Sequence, residues 1–268
     1  MEKKKSFNFW VIASLVVLAL YLLFMVYPLV KLVSRSVVDA DSGGFSMRYF
    51  KQFFSTPYYS GTMINSFKVA IAVSVTSTLI GIPLAYLYNM YKVRGRKALQ
   101  MLIILSSMSA PFLGAYAWIM LLGRSGVITK FFEAAFGVTI PSIYGFKGIV
   151  LALTMKMYPM VFLYVSGALK TMDNSLMEAS ANMGCDGLKR VFKVVLPLCM
   201  PSILAAVLMV FMRSMADFGT PLMIGEGYST FPVLIYNSYV GEVGTNQNFA
   251  AAISVIAILL TMMFFLLQ

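Results

Sequence analysis

Histidine is absent from the 268-residue sequence, and cysteine occurs only twice, at Cys185 and Cys199. The two cysteines fall near one loop between apolar stretches and lack metal-ligand spacing, so neither a disulfide framework nor a zinc site is expected. Without histidine, reactive cysteine pairs or paired carboxylates, the sequence offers no constellation for enzyme chemistry, and no catalytic residue, metal or cofactor is expected. Charge is scarce as well. Asp, Glu, Lys and Arg make up 12% of the chain, against about 25% in a soluble domain, too few to cover a water-facing surface. A phosphate-binding Gly-x-x-x-x-Gly-Lys-Ser/Thr loop is also missing, so the chain has no means of its own to hydrolyse ATP.

What fills the sequence is apolar side chain, 60% of all residues, gathered into blocks. Residues 11–30 and 69–90 carry no charge, and at about 1.5 Å per residue each block crosses the roughly 30 Å hydrocarbon core. Within lipid the backbone must pair with itself, which leaves helices or closed barrels. The blocks lack the alternation a barrel strand needs. The expected fold is an all-α integral membrane protein of about six transmembrane helices, at 10–32, 64–90, 98–122, 148–169, 198–215 and 248–267. The basic start Met1-Glu-Lys-Lys-Lys5 ahead of a long apolar run, with no Ala-x-Ala site near its end, reads as an uncleaved first helix.

The net charge of +11 is distributed over short loops, where it fits anionic headgroups and membrane topology rather than nucleic acid. With the N-terminus inside, the inner segments hold Lys3, Lys4 and Lys5, then Lys92, Arg94, Arg96 and Lys97, then Lys170, Lys189, Arg190 and Lys193. The outer segments hold Lys31, Arg35, Arg48, Lys51, Arg124, Lys130 and Lys147, and residues 217–247 hold none. This bias places both termini in the cytoplasm. Pro28, Pro83, Pro111, Pro159 and Pro201 lie within or at the edges of the spans, where neighbouring helices can satisfy the carbonyls they free. Ser74, Thr76, Ser77 and Thr78, with Ser106, Ser107 and Ser109, suit close helix packing.

The inner loop 171–197 between the fourth and fifth spans differs from the rest. Ser175-x-x-Glu178 has the form of a capping box, so a helix is expected to start near Ser175. Leu176, Ala179 and Met183 give it one apolar face, and Gly184 is placed to end it in the left-handed conformation. Asp186 is placed to cap a second short helix through Phe192, and Leu196-Pro197 to close the unit. A helix lying on lipid carries a basic polar face. Residues 175–184 contain no Lys or Arg and do contain Glu178, which favours docking to a protein.

Glu178-Ala179-Ser180, three residues, Gly184, nine residues, Val194, one residue and Leu196-Pro197 resembles the EAA loop of binding-protein-dependent ABC importer permeases. The family pattern is Glu-Ala-Ala, Gly, an aliphatic residue and Leu-Pro. Here Ser180 replaces the second Ala, and Val194 stands for the usual Ile. The resemblance implies that Glu178, Ala179, Ser180, Gly184, Leu196 and Pro197 form a coupling helix and its frame, seated on a separate cytoplasmic ATPase. It also implies an extracytoplasmic substrate-binding protein and a second permease unit, whether a homodimer, a heterodimer or the other half of a fusion. A bacterial cytoplasmic (inner) membrane location follows, with residues 1–268 as a single transmembrane permease domain.

Residues 216–237, with Ala216-Asp217-Phe218-Gly219-Thr220-Pro221, look like the ferric-iron group of these permeases, close to those for thiamine, polyamines and phosphonates. The acidic set Asp217, Glu226 and Glu242, free of Lys and Arg, suits a cationic cargo or a basic receptor patch, and equally a solvated loop. Within the spans, Lys68 is expected to snorkel, while Lys156 and Arg213 are pathway or ion-pair candidates. Asp217 lies one helical turn beyond Arg213, which predicts an Arg213–Asp217 pair. The 21 scattered methionines read as packing residues. A secondary transporter or channel is the competing class. The sequence shows no internal repeat and no acidic residue deep in a span, which disfavours it.

Overall fold

A computed structural model describes residues 9–39, 43–91, 94–108, 110–138, 141–185, 187–241 and 246–266. Lys3, Lys4, Lys5, Lys92, Ser109, Asp186 and Glu242 lie outside the described residues, as does the side chain of Glu178. Among the described residues the structure is helical throughout, apart from a single isolated bridge between Val38 and Phe45. Six apolar helical stretches are long enough to cross a bilayer: Phe9–Ser36, Pro57–Met90, Phe112–Phe136, Phe146–Thr171, Val191–Ala216 and Gln247–Leu266. The chain is an all-α, multi-span membrane protein. It divides into two compact units, one from the described parts of 1–60 and 235–267, the other from 61–234.

In the first unit, α1 (Phe9–Ser36) and α2 (Arg48–Ser55) pack with a closing helix, labelled α12 below, at Gln247–Leu266. Ala250, Ala251 and Ala252 are fully buried there. Lipid tails are as apolar as the side chains, so close van der Waals contact between small residues, not expulsion of water, holds such helices together. The end of α1 and the start of Gln247–Leu266 are pinned by the Arg35 guanidinium donating to Gln247 Oε1 at 3.1 Å and the Asn248 amide donating to the Val38 carbonyl at 2.9 Å. Most of α1 faces outward, its first half burying nothing within the chain. It opens into a π turn over Leu22–Val26, immediately before Tyr27-Pro28.

The second unit holds the rest: α3 (Pro57–Met90) from Gly61 onward, α4 (Arg96–Ser107), α5 (Pro111–Leu122), α6 (Val127–Phe136), α7 (Phe146–Thr171), α8 (Asn174–Asn182), α9 (Val191–Ala216), α10 (Gly219–Ile224) and the start of α11 (Phe231–Val240). Its core centres on α7, with Ile149, Leu153, Val161 and Phe162 fully enclosed. Gly81 lets α3 press against α7; a β-carbon there would meet Val161 Cβ at 2.6 Å. Two polar rungs bridge the same helices, Thr76 Oγ1 to Thr154 Oγ1 at 2.6 Å and the Asn89 amide donating to Ser166 Oγ at 2.8 Å. The expected role of small polar residues in helix packing is thus met at Thr76. Ser106 and Ser107 instead donate to carbonyls of their own helix.

Two expectations about boundaries change. The third apolar stretch is not one helix over 98–122: it breaks at Met108, and Ala110 is extended (φ −61°, ψ 149°) ahead of Pro111. The ring of a proline disfavours helix in the residue before it, and Pro111 instead opens α5 at its first position, where the missing N–H costs nothing. The second correction concerns α3, which starts seven residues before the expected 64, at Pro57. Lys68 is therefore the twelfth residue of a long helix, at the edge of its charge-free part rather than at its end.

Candidate functional site

Two groups of residues stand apart from packing: the loop between α7 and α9, and the charges where α7, α9 and α10 meet. In the loop, α8 spans Asn174–Asn182. Its cap is not Ser175 but Asp173, whose Oδ1 accepts the Ser175 N–H at 2.9 Å. That N–H, and then the Ser175 hydroxyl, hold the Asp173 carboxyl below its ordinary range. An Asp two residues ahead of a donor offers a shorter, charged acceptor, and it displaces the Ser-x-x-Glu arrangement. At the other end Gly184 has φ 70°, as expected. Its N–H donates to the Ala181 carbonyl at 2.9 Å and the Cys185 N–H to the Ser180 carbonyl at 2.9 Å, the paired bonds of a Schellman ending. Ser180 is buried and Ala179 exposed, so these neighbours face different ways.

Beyond the loop the expected stop at Leu196-Pro197 is absent. One turn at Leu188–Arg190 leads into a π turn over Val191–Val195, and helix continues through Pro197 to Ala216. In the π turn the Leu196 N–H reaches back to the Val191 carbonyl. The wider turn accommodates the ring of Pro197, which has no N–H to place and would crowd a regular helical turn. Tyr27-Pro28 uses the same device. Leu196 and Phe192 line an apolar cavity of ≈ 490 Å³ with Ile82, Tyr86 and Tyr91.

The second group corrects the charge pairing. Asp217 Oδ2 lies 2.6 Å from Lys156 Nζ, and Asp217 Oδ1 accepts the Thr220 N–H at 3.0 Å. The helix ends at Ala216 and Asp217 is extended (φ −72°, ψ 122°), so the one-turn relation to Arg213 is lost. The Asp217 side chain is 6% exposed and that of Lys156 20%. Lys156 lines two cavities. The first, ≈ 300 Å³, is bordered by Ser106, Gly114, Trp118, Ala152 and Thr220. The second, ≈ 170 Å³, is bordered by Ser107, Met157, Met160, Leu163, Tyr164 and Arg213. Arg213 thus shares a cavity with Lys156 but not a carboxylate. Trp118 and Tyr164 had no sequence signal, because long-range packing alone brings them to the cavities that Lys156 lines.

Arg124, in the break between α5 and α6, pairs with Glu226, a non-glycine residue at φ 37°, and lies over the Tyr144 ring at 5.4 Å. Asp217 is paired with Lys156 and Glu226 with Arg124 in an exposed pair, so two of the three acidic residues that suited a cationic cargo have partners within the chain.

Six apolar helical stretches with a charged, cavity-lining centre define a multi-span membrane protein. Residues 77–268 match the family of binding-protein-dependent transport system inner membrane components, and the chain belongs to it. It is a permease subunit of the ABC importer type. Among its relatives, a putative ferric transport system permease of Haemophilus influenzae is 29% identical over 231 residues, covering 85% of this chain and 36% of that protein. A ferric transport system permease of Actinobacillus pleuropneumoniae is 28% identical over 261 residues, 96% and 37% of the two. The chain thus spans little more than a third of the length of these two relatives. A putative 2-aminoethylphosphonate transport system permease of Salmonella typhimurium is 24% identical over 94% of this chain and 88% of its own. In fold it resembles a chain of a bacterial ABC transporter for the acidic polysaccharide alginate, with TM-score 0.74 and 17% identity over 96% of this chain and 93% of that one.

Proposed function

We propose that residues 1–268 form one transmembrane permease domain whose 171–197 segment couples it to a separate cytoplasmic ABC ATPase, with a substrate-binding protein and a second permease unit completing the importer. The supporting observation is the shape of the segment: a capped helix, α8, ended by a Schellman turn at the glycine that the EAA pattern requires. Ferric iron is the cargo favoured by the two ferric relatives, with a phosphonate as the alternative the third supports. Polyamine and thiamine are further alternatives, carried by the likeness of residues 216–237 to that group of permeases.

Glu178 tests the coupling role. Its backbone lies within α8, and the cap is already supplied by Asp173, so loss of its carboxylate costs the helix little. If that carboxylate meets a donor on the ATPase, Glu178→Ala leaves the donor unpaired at a cost of about 1–3 kcal/mol, roughly a five- to hundred-fold loss of affinity. The mutant is expected in the membrane at normal levels, with weaker co-purification of the ATPase and lower substrate-stimulated hydrolysis. Unchanged values for both would remove Glu178 from the interface.

The orientation, with both termini in the cytoplasm of a bacterial cell, rests on the distribution of Lys and Arg. In a background lacking Cys185 and Cys199, Met47→Cys should react with an impermeant thiol reagent applied to whole cells, and Asn182→Cys should not. Both positions are exposed, so access depends on the side of the membrane. Reversed labelling would invert the topology.

A further inference from the structure

The charges around the two cavities do not balance. Asp217 gives one oxygen to Lys156 and the other to the Thr220 N–H, and its ion pair is with Lys156 rather than with Arg213. Arg213 lines the smaller cavity beside Lys156 and has no hydrogen bond or ion pair among the described residues, nor has the hydroxyl of Tyr164 on the same wall. No Asp or Glu lines either cavity. Three donors therefore face one space: the remaining ammonium protons of Lys156, the guanidinium of Arg213 and the phenol of Tyr164. Arg213 is exposed in the last turn of α9, and a cation at the end of a span with no carboxylate beside it marks a candidate ligand or ion pathway.

We infer that this cavity is an anion site on the translocation path, taking a small oxyanion group against Arg213 and Lys156. The chemistry is specific. Guanidinium presents paired N–H donors that match two oxygens of a phosphonate, phosphate or carboxylate, while ammonium contributes a point charge. At ≈ 170 Å³ the space is below the range of pockets for drug-sized ligands and suits a compact ion. A bare ferric ion would meet two cations there, Lys156 and Arg213, and no carboxylate. Iron would pass through this cavity only as a complex whose oxyanion ligands face Arg213. The inference rests on the importer reading and narrows its cargo. A free oxyanion and an oxyanion-bound ferric ion share this chemistry, and the test separates them.

The full chain, purified in lipid nanodiscs as Trp10→Phe, carries Trp118 as its one tryptophan, on the wall of the cavity adjoining Lys156. Its fluorescence is titrated with 2-aminoethylphosphonate, orthophosphate and ferric citrate, and with spermidine as the cationic control. Saturable binding is expected for at least one anionic probe, with none for spermidine. Phosphonate or phosphate binding alone identifies a free oxyanion; binding of ferric citrate but not citrate identifies the complex. Arg213→Gln should weaken that binding at least tenfold, and Arg213→Lys should recover part of it. Saturable spermidine binding, no anion binding, or anion binding indifferent to Arg213→Gln would overturn the inference. If Arg213 instead meets a carboxylate of the second permease unit, Arg213→Gln would loosen that assembly while anion binding stays absent, which also overturns it. Co-purification with the ATPase is followed in the same samples. Its persistence alongside failed anion binding removes the anion site and leaves the importer reading intact, whereas its loss in the unmodified chain counts against that reading itself.

Discussion

Asp217→Ala is expected to destabilise the protein by about 3–5 kcal/mol, because it leaves the Lys156 ammonium enclosed without its counter-charge. Asp217→Asn separates the two duties of this carboxylate. Asparagine can still accept the Thr220 N–H at the start of α10, but it cannot neutralise Lys156, so it should lose most of the same stability. Pairing Asp217→Asn with Lys156→Met removes both charges while retaining the cap and the side-chain volume. Replacing a buried ion pair by an apolar group is often close to neutral, so the double variant should recover most of the loss. Thermal unfolding of the four proteins in one detergent measures the cycle. Single variants that melt with the wild type would mean that the pair carries no net stability. The double variant should nonetheless fail to transport, since it empties the shared wall of the two cavities of its ammonium.

Gly148→Ala is expected to lower stability, although helix propensity alone predicts the opposite. Alanine is favoured over glycine in a helix by about 1 kcal/mol, and Gly148 lies in the first turn of α7. A β-carbon there would collide with the Ile143 carbonyl oxygen, a backbone atom that no rotamer change can move. The Gly145 N–H also donates to the Ile224 carbonyl at 2.8 Å, which ties this turn to the end of α10. Overpacking of this kind costs about 1–3 kcal/mol, and here it displaces the helix that carries Lys156. A melting temperature at or above that of the wild type would show that the turn relaxes without cost.

The difference between these two sites explains what the sequence revealed. Apolar blocks report a membrane directly, because lipid demands length and lack of charge; the number of stretches was legible from those two properties, whereas the third, Phe112–Phe136, falls later than the 98–122 expected for it. Gly184 was legible for a similar reason, since a single backbone conformation at a helix end selects glycine. Asp217 was not. Its nearest cation in sequence is Arg213, its partner in space lies 61 residues away, and only the end of the helix at Ala216 decides between them. Ser175 misled because its hydroxyl and that of a true cap look alike in sequence; Asp173, two residues earlier, was the better acceptor. Pro111 and Pro197 are the instructive pair. Both follow a residue that proline pushes away from helix, yet the chain breaks at the first and passes through the second. What differs is the turn before them, and nothing in the composition of Val191–Val195 announces a π turn.

That turn has a geometric consequence. A π turn holds one residue more than an α turn, and one residue is worth about 100° of rotation about a helix axis. The segment entering α9 is therefore wound about a quarter of a revolution away from where an uninterrupted helix would carry it. Deleting one residue from Val191–Val195 would leave the charge pattern on either side unaltered and still swing the segment before it to another side of the axis. The number of residues between Gly184 and Pro197, more than their identity, sets the direction in which α8 is aimed.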